Sequence, residues 1–486
     1  MGAVSLGLLC GHLGMAQAAS GPGTDVDTSL TTGVATADDV AGETASEPVE
    51  DDPEAVPSAE DIELGALSTA EEPEPAAPTA EDGESVGLTA GNEALCDRQK
   101  EAAARHPDAE YAVCTSAVEP AADLDAAERA ALSRLDAPVD TAASESAILG
   151  AVPDAGPEAE APPEDVPPTE SLDEEPAAPA AGRSPWREPK WCIDAGVDST
   201  WYIQRFRGCG IFRAGLTVYD VRTGRPVGGL KYLVVGYSHS DRTSKRWAMQ
   251  ARLMETKRWG SGVSGTRAYG SAGCTGKCKV AVKDFPSQAI SPSADPYGQF
   301  FMDTTINTAA SKQRGTGRSI VAWRFTNPAW PAPSDTGKLS SVEVRCDNAM
   351  PGTTRQVGCV TLRAVPVLRY DLAGPWPELA DHIRDAQATG LPGKYGTTNY
   401  LTRLTDRTKK DENRDAACPS SLQRPPGKSC DEYPFASTWQ GAKHSGGRFS
   451  RRMINDTQNT EAGRALNGFY VHSRIVEGDR FLVWIK

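Results

Sequence analysis

The chain has 486 residues and a formal net charge of −16 at pH 7. Residues 1–183 contain 40 acidic and 6 basic residues, whereas the remainder contains 26 acidic and 44 basic residues. The acidic total therefore does not exclude binding to a polyanion, because the C-terminal part is basic enough to contact a phosphate backbone. No stretch after residue 20 reaches the roughly 20 apolar residues that span a bilayer, so we expect no transmembrane segment.

Residues 1–18 are typical of an export signal. The run is apolar and leucine-rich, and it ends in Ala16-Gln17-Ala18, small residues of the kind that precede a cleavage site. No basic residue precedes the apolar run. We expect a signal peptide here and a secreted, extracellular protein.

Residues 19–186 form an acidic region rich in Ala, Pro and Glu. Its composition offers too little apolar surface to offset the entropy of ordering, so we expect most of it to be disordered. A small helical island near residues 94–135 interrupts it, with Cys96 and Cys114 spaced for a disulfide. The acidic region is predicted to be a solvating linker or a cell-wall spacer, and the alternative is a DNA mimic that covers a basic face.

The cysteine count supports export. Cys10 would leave with the signal peptide, and ten cysteines remain. An even number in an exported chain indicates disulfides. The spacing favours pairing between neighbours in sequence, although sequence does not fix the connectivity. The expected pairs beyond Cys96 and Cys114 are Cys192–Cys209, Cys274–Cys278, Cys346–Cys359 and Cys418–Cys430.

Residues 187–370 are predicted to form an all-β domain, a sandwich or a barrel. The region contains eight or nine short runs of β-branched and aromatic residues separated by turn residues. Its function cannot be inferred from this pattern. Its tryptophans could line a sugar-binding face, but tryptophans at strand spacing are more often part of a core.

The residues most indicative of chemistry are in CDEYPFAST, Cys430 to Thr438. Asp431 and Glu432 place adjacent carboxylates in a region rich in Lys and Arg. A divalent cation would account for both charges, because Mg²⁺ takes one or two protein carboxylates and leaves its other positions to water and phosphate. The run therefore predicts metal-assisted attack on a phosphodiester. The alternative is a salt bridge to nearby arginines.

The sequence DEYPFA at 431–436 resembles the signature of the NucA/NucB family of secreted bacterial deoxyribonucleases. Matching blocks occur in order, with DHI at 381–383, TDR at 405–407, ENR at 412–414, and QN at 458–459 before AG at 462–463. For residues 371–486 the resemblance implies a small α+β domain that cleaves DNA with little sequence preference. The order strand, turn, strand, helix also resembles the ββα-metal core of some endonucleases.

The chemistry of the residues and the resemblance together suggest catalytic roles. Asp406 is expected to activate water at the end of a strand, with Arg407 beside it to hold the phosphate. Glu432, Asp431 and Asn459 are expected to hold one Mg²⁺ or Mn²⁺. The ordinary alternatives are an Asp-Arg pair in a turn and simple helix capping.

Five further residues are predicted to bind substrate. Arg448, Arg451 and Arg452 belong to a glycine-rich basic loop that suits a backbone clamp, and Gln458 lies in the first turn of a predicted helix. Gln440 replaces an acidic residue that relatives often carry, and its amide can bond a metal-bound water.

Two other functions remain open. The chain could be a secreted cell-wall or carbohydrate-binding protein with an inactive nuclease-like module, or a nuclease toxin delivered to competitors. Under the favoured hypothesis the protein is a monomer and DNA is its substrate.

Overall fold

The computed structural model describes residues 87–91, 93–118, 123–135, 188, 190–352 and 356–486. The predicted signal peptide at 1–18 and most of the acidic region at 19–186 lie outside these residues. None of the described helices is long and apolar enough to cross a bilayer.

The middle of the chain is mostly β-structure, as predicted. Its strands are β1 (Gly87–Thr89), β2 (Tyr111–Ala117), β3 (Trp201–Ile203), β4 (Arg207–Asp220), β5 (Pro226–His239), β6 (Arg246–Gly260), β7 (Arg267–Gly276), β8 (Cys278–Asp284), β9 (Gln288–Ala289), β10 (Tyr297–Thr304), β11 (Arg314–Thr326), β12 (Gly337–Ser340), β13 (Val344–Asp347) and β14 (Gly358–Thr361). One sheet has the order β1-β12-β11-β13-β14, with β7 on β11 and β9 on β7, and the other has the order β2-β4-β5-β6-β10-β8, with β3 on β4. We call these two sheets the β-domain.

The two sheets share one apolar core that contains several of the tryptophans. Trp247 on β6 donates to the hydroxyl of Ser319 on β11, and Trp323 on β11 donates to the hydroxyl of Tyr232 on β5. Trp247 and Trp323 are fully buried and belong to the core cluster. Burial removes these side chains from any sugar-binding face. Trp259 is 39% exposed.

The predicted island at 94–135 is joined to the β-domain instead of standing apart. Its elements are α1 (Glu93–Ala104), β2 and α2 (Ala126–Leu132). The next described helix along the chain is α3 (Lys190–Ala195). The predicted helical island is only partly helical, because Cys114 lies in β2, which pairs with β4 along its whole length. On α2, Glu128 accepts from Arg213 of β4 at 2.6 Å, and both side chains are buried. The pairing of β2 with β4, about a hundred residues later in the chain, attaches the island to the β-domain.

The C-terminal domain has three helices and five strands. Its helices are α4 (Pro377–Ala388), α5 (Arg407–Ala417) and α6 (Asp456–His472), and its strands are β15 (Val367–Tyr370), β16 (Leu401–Thr402), β17 (Lys428–Tyr433), β18 (Ser450–Asn455) and β19 (Arg480–Ile485). β15 pairs in parallel with β19, and β17 pairs with β18. Because β15 lies before residue 371, the C-terminal fold begins upstream of the expected boundary.

Apolar periodicity explains how α4 is placed. Leu379, Ile383 and Ala386 recur at helical spacing and are all buried. Pro377 stands in the first turn, where its missing N–H costs nothing. The helix packs against α6 and the β17–β18 hairpin.

All five expected cysteine pairs are within bonding distance. They are Cys96–Cys114, Cys192–Cys209, Cys274–Cys278, Cys346–Cys359 and Cys418–Cys430. The last pair joins the end of α5 to β17.

Candidate active site

The candidate site is built on the antiparallel hairpin of β17 and β18. Asp431 pairs with Arg452, and Glu432 pairs with Arg451. Successive side chains of a strand point to opposite faces, so the plane of the hairpin separates the two carboxylates. We call these faces the α4 face and the α5 face, after the helix that each contacts.

On the α4 face, His382 holds Asp431. Nδ1 of His382 lies 2.6 Å from Oδ2 of Asp431, and Nε2 lies 2.9 Å from Oγ of Ser450. His382 is fully buried and Asp431 is 6% exposed. A buried carboxylate needs a donor, so Nδ1 carries the proton. Tyr433, two residues along the same face, accepts from Gln387 of α4 at 3.0 Å.

On the α5 face, Glu432 is half-buried beside the disulfide. Its Oε2 lies 3.6 Å from Sγ of Cys418. Burial raises the pKa of the Glu432 carboxyl to about 7, and the negative charge of Asp431 adds to the rise. Arg414 and the backbone N–H of Ala436 act in the opposite direction on this pKa. A carboxylate with its pKa raised towards neutrality is typical of a functional site.

The structure does not bring Asp431 and Glu432 to a common cation. Each carboxylate faces a different helix, and Asp431 is already bonded to His382. Among the side chains that the structure describes, no three from His, Cys, Asp and Glu gather as metal ligands would. Asp431 is therefore engaged within the fold, and Glu432 is the carboxylate of the signature that lies beside Arg451 and Arg414.

Asn413 organises the chain around Glu432. It is fully buried on α5, where its amide donates to the carbonyls of Ala436 and Thr438 at 2.9 and 3.1 Å. Its oxygen accepts from the backbone N–H groups of Lys443 and His444 at 3.0 and 3.2 Å. One side chain thus fixes both the turn after the signature and the start of the basic loop.

Asp406 and Arg407 lie at the opposite end of α5. Asp406 is the N-cap residue, accepting from the N–H of Lys409 at 2.9 Å, and both Asp406 and Arg407 are exposed. The helix has 11 residues and is thus about 16 Å long. Since its other end contacts Glu432 through Cys418, Asp406 does not share a ligand with Glu432.

The three predicted amide residues make internal hydrogen bonds. Asn459 donates to Oγ of Ser429 at 3.0 Å and to the carbonyl of Cys430 at 3.2 Å, which fastens α6 to β17. Gln458 accepts from the N–H of Glu378 at 2.9 Å. The cap of α6 is Asn455, whose side chain accepts from the N–H of Gln458 at 3.1 Å.

Gln440 is held on both atoms of its amide. Its oxygen accepts from the N–H of Thr402, and its nitrogen donates to the hydroxyl of Thr402, each at 2.8 Å. These bonds tie the segment after the signature to β16.

The predicted arginines differ in what they contact. Arg451, on the α5 face, donates to the carbonyl of Ala417 at 2.8 Å, whereas Arg452, on the α4 face, pairs with Asp385 at 2.7 Å. Arg448 is exposed in the loop between β17 and β18. Arg451 and Arg414 are the arginines that border Glu432.

The C-terminal domain was compared with known protein families. Residues 391–484 match the family model described as Deoxyribonuclease NucA/NucB. The C-terminal region carries a NucA/NucB deoxyribonuclease domain. No curated protein and no solved structure gives a significant match to the chain. The match begins after α4, so His382 and the helix that carries it lie upstream of the matched residues.

Glu432 is the residue of this site that would hold a hard divalent cation. Mg²⁺ in nucleotide-processing sites is often held by one carboxylate, with water and phosphate at its other positions. The NucA/NucB domain offers a half-buried carboxylate bordered by arginines, which suits that kind of site.

Sequence patterns missed three residues of this arrangement. His382 was expected to be a packed or capping residue with no named partner, and Asn413 and Arg414 had no assigned role. The signal was their presence in the DHI and ENR blocks. A polar residue inside a predicted amphipathic helix, such as Asn413, is a further signal, because it must find partners when buried.

Proposed function

We propose that the C-terminal domain is a divalent-metal-dependent endonuclease that hydrolyses DNA phosphodiester bonds with little sequence preference. Glu432 carries this proposal. A NucA/NucB domain supports a deoxyribonuclease, and a carboxyl whose pKa lies near 7 beside arginines is suited to divalent-cation binding close to a phosphate.

In this proposal Glu432 is the direct ligand of one Mg²⁺ or Mn²⁺. The ion would supply Lewis-acid activation of the phosphate and of an attacking water. Asp431 and Asn459 keep β17 in place, Asp431 through His382 and Asn459 through the carbonyl of Cys430. Of the residues expected from the sequence, these two thus support the ligand instead of adding to it.

Arginines supply the contacts to substrate. Arg451 and Arg414 border Glu432 and are exposed, so they can meet a phosphate next to the ion. Arg448 and Arg407 are exposed farther away and are assigned to flanking phosphates. Backbone contacts carry no sequence information, which accounts for the proposed lack of sequence preference.

Export to the cell exterior is part of the proposal. Five disulfides connect the described part of the chain, and such bonds persist mainly in oxidising compartments. Mass spectrometry of the culture medium should find the processed chain.

The test uses the purified full chain, supercoiled plasmid and Mg²⁺ or Mn²⁺, with EDTA as the inhibited control. Glu432→Gln should lower the cleavage rate at least about 100-fold and leave DNA binding intact. Asp415→Asn, which removes one exposed carboxylate from α5, is the matched control and should cleave normally. Full cleavage by Glu432→Gln, or undiminished cleavage in EDTA, would refute the proposal.

A further inference from the structure

The β-domain holds one loop of the C-terminal domain through hydrogen bonds and ion pairs. This loop, Ser473–Asp479, connects α6 to β19. Arg205 donates to the carbonyls of Ser473 and Arg474 at 2.7 and 2.9 Å and to Asp479 at 3.0 Å. Arg345 donates to both oxygens of Asp479 at 2.5 and 2.6 Å. The two β-domain arginines therefore converge on one carboxylate of the loop.

A third arginine makes contacts in the opposite direction, from the loop to the β-domain. Arg474 of the loop is 2% exposed, and its guanidinium donates to the side chain of Asp347 at 2.9 Å. It also donates to the carbonyls of Arg242 and Gln356 at 2.6 and 2.9 Å. The backbone of Arg474 has a φ of 44°, which a non-glycine residue adopts only when its surroundings hold it there. The 473–479 loop is thus inserted into the β-domain.

The same loop contacts the segments that flank the candidate site. Glu477 accepts from the N–H and the hydroxyl of Thr405, both at 2.6 Å, and from the indole of Trp439 at 2.7 Å. Arg403 donates its N–H to the carbonyl of Asp479 at 2.9 Å. Thr405 directly precedes Asp406 and Arg407, and Trp439 follows the signature.

The exposed Arg314 completes the bridge. It lies on β11 of the β-domain and donates to the carbonyl of Glu477 at 2.6 Å. One residue of the loop therefore takes a β-domain donor on its backbone and two C-terminal-domain partners on its side chain. A shift of the loop relative to the β-domain would move Thr405 and Trp439.

We propose that Arg345, Arg205 and Arg314 are positioning residues for DNA binding, acting through the 473–479 loop on the Thr405–Arg407 segment and on Trp439. The inference rests on the proposed nuclease function and assigns the β-domain a part in it. The β-domain acts as a fixed support that sets how the flanking DNA is held. Glu432 contacts Cys418 at the C-terminal end of α5, whereas Thr405 precedes the N-terminal end of that helix, so in this proposal the chemical step does not depend on the contacts of the loop with the β-domain.

The test variant is Arg345→Lys, which keeps the positive charge but loses the two hydrogen bonds from the guanidinium to the carboxylate of Asp479. Arg314→Ala is a second variant at an exposed position that is expected to fold normally. Arg324→Ala is the matched control, because Arg324 lies on the same strand and donates to Thr336 inside the β-domain. The readouts are KM and kcat on plasmid, and amide hydrogen exchange at Thr405.

Arg345→Lys and Arg314→Ala should raise KM about three- to tenfold, the change expected from losing one or two hydrogen bonds, with kcat unchanged. The Thr405 amide should exchange faster in both variants, and Arg324→Ala should match the wild type. Loss of folded protein would lower kcat and leave KM unchanged. Unchanged exchange and KM in both folded test variants would overturn the inference. A wild-type protein that cuts no DNA would instead overturn the proposed nuclease function. In that case amide exchange at Thr405 would still show whether the contacts between the β-domain and the 473–479 loop hold the Thr405 segment in place.

Discussion

Glu432→Gln should make the protein more stable at alkaline pH while it removes the activity. Burial raises the pKa of this carboxyl from its ordinary value of 4.5 to about 7. Between these two values the unfolded chain releases the proton and the folded chain keeps it. The free energy of unfolding therefore falls as the pH rises through this window, because the unfolded state binds fewer protons. Below pH 4 the Glu432 carboxyl is protonated in both the folded and the unfolded chain, so its ionisation does not change the free energy of unfolding.

The magnitude follows from the two pKa values. At about 1.4 kcal/mol per pH unit, the difference between 4.5 and about 7 corresponds to a loss of about 3 kcal/mol by pH 8. The glutamine side chain of the variant cannot ionise, so the variant escapes this loss. Its stability relative to wild type should rise by up to about 3 kcal/mol between pH 4 and pH 8, since other carboxyls titrate in both proteins.

The assay is urea unfolding at several pH values in EDTA, so that no cation offsets the charge. Glu378→Gln is the control of opposite sign. Lys428 bonds to the Glu378 carboxylate and lowers its pKa from the ordinary value of 4.5. Relative to the wild type, this variant should therefore lose stability as the pH rises to about 5 and show no further change at higher pH. A stability difference for Glu432→Gln that stays constant from pH 4 to pH 8 would refute the assigned burial of the charge.

Three further substitutions separate structural from chemical roles. His382→Ala should lower the free energy of unfolding by about 3 kcal/mol, because it leaves the buried Asp431 without its donor; urea midpoints measure this, and a change within error would exclude the pair. Asp406→Ser keeps an N-cap oxygen and should retain both stability and cleavage rate, whereas a large fall in kcat would restore Asp406 as the general base. Asn413→Ala should lower stability by about 1–3 kcal/mol and also slow plasmid cleavage, since the basic loop loses its anchor; a fully active variant would contradict that link.

Local patterns predicted most of the β-domain because its strands are runs of β-branched and aromatic residues separated by turn residues. Two such runs, residues 201–203 and residues 247–254, coincide with β3 and lie within β6. The disulfide partners also followed from spacing, since short loops close readily. The pairing of β2 with β4 did not follow, because local sequence contains no information about which distant strand will be its neighbour. For the same reason the boundary at residue 370 was placed after β15 instead of before it.

The candidate site was predicted in part. The signature was found, but its two carboxylates were expected at one cation. The alternation of side chains along a strand already separates Asp431 from Glu432, and this could have been applied once the strand was assigned. The contact between His382 and Asp431 spans 49 residues, and no local pattern contains it. The position of Asp406 was misjudged because the observed strand already ends at Thr402 and Asp406 is the N-cap of the helix that begins at Arg407.

The hairpin places two adjacent acidic residues in different surroundings, so that they can have different roles. On the α4 face the carboxylate of Asp431 is bonded to His382 inside the fold and is therefore unavailable to a ligand. On the α5 face Glu432 is desolvated without that partner, so its charge is disfavoured, and in the proposed mechanism a cation would offset this cost. The charge of Asp431 makes this stronger, since it raises the pKa of Glu432. Asp431 thereby helps to raise the pKa of the half-buried Glu432, and the Asp-Glu order sets which carboxylate lies on the α5 face beside Arg451.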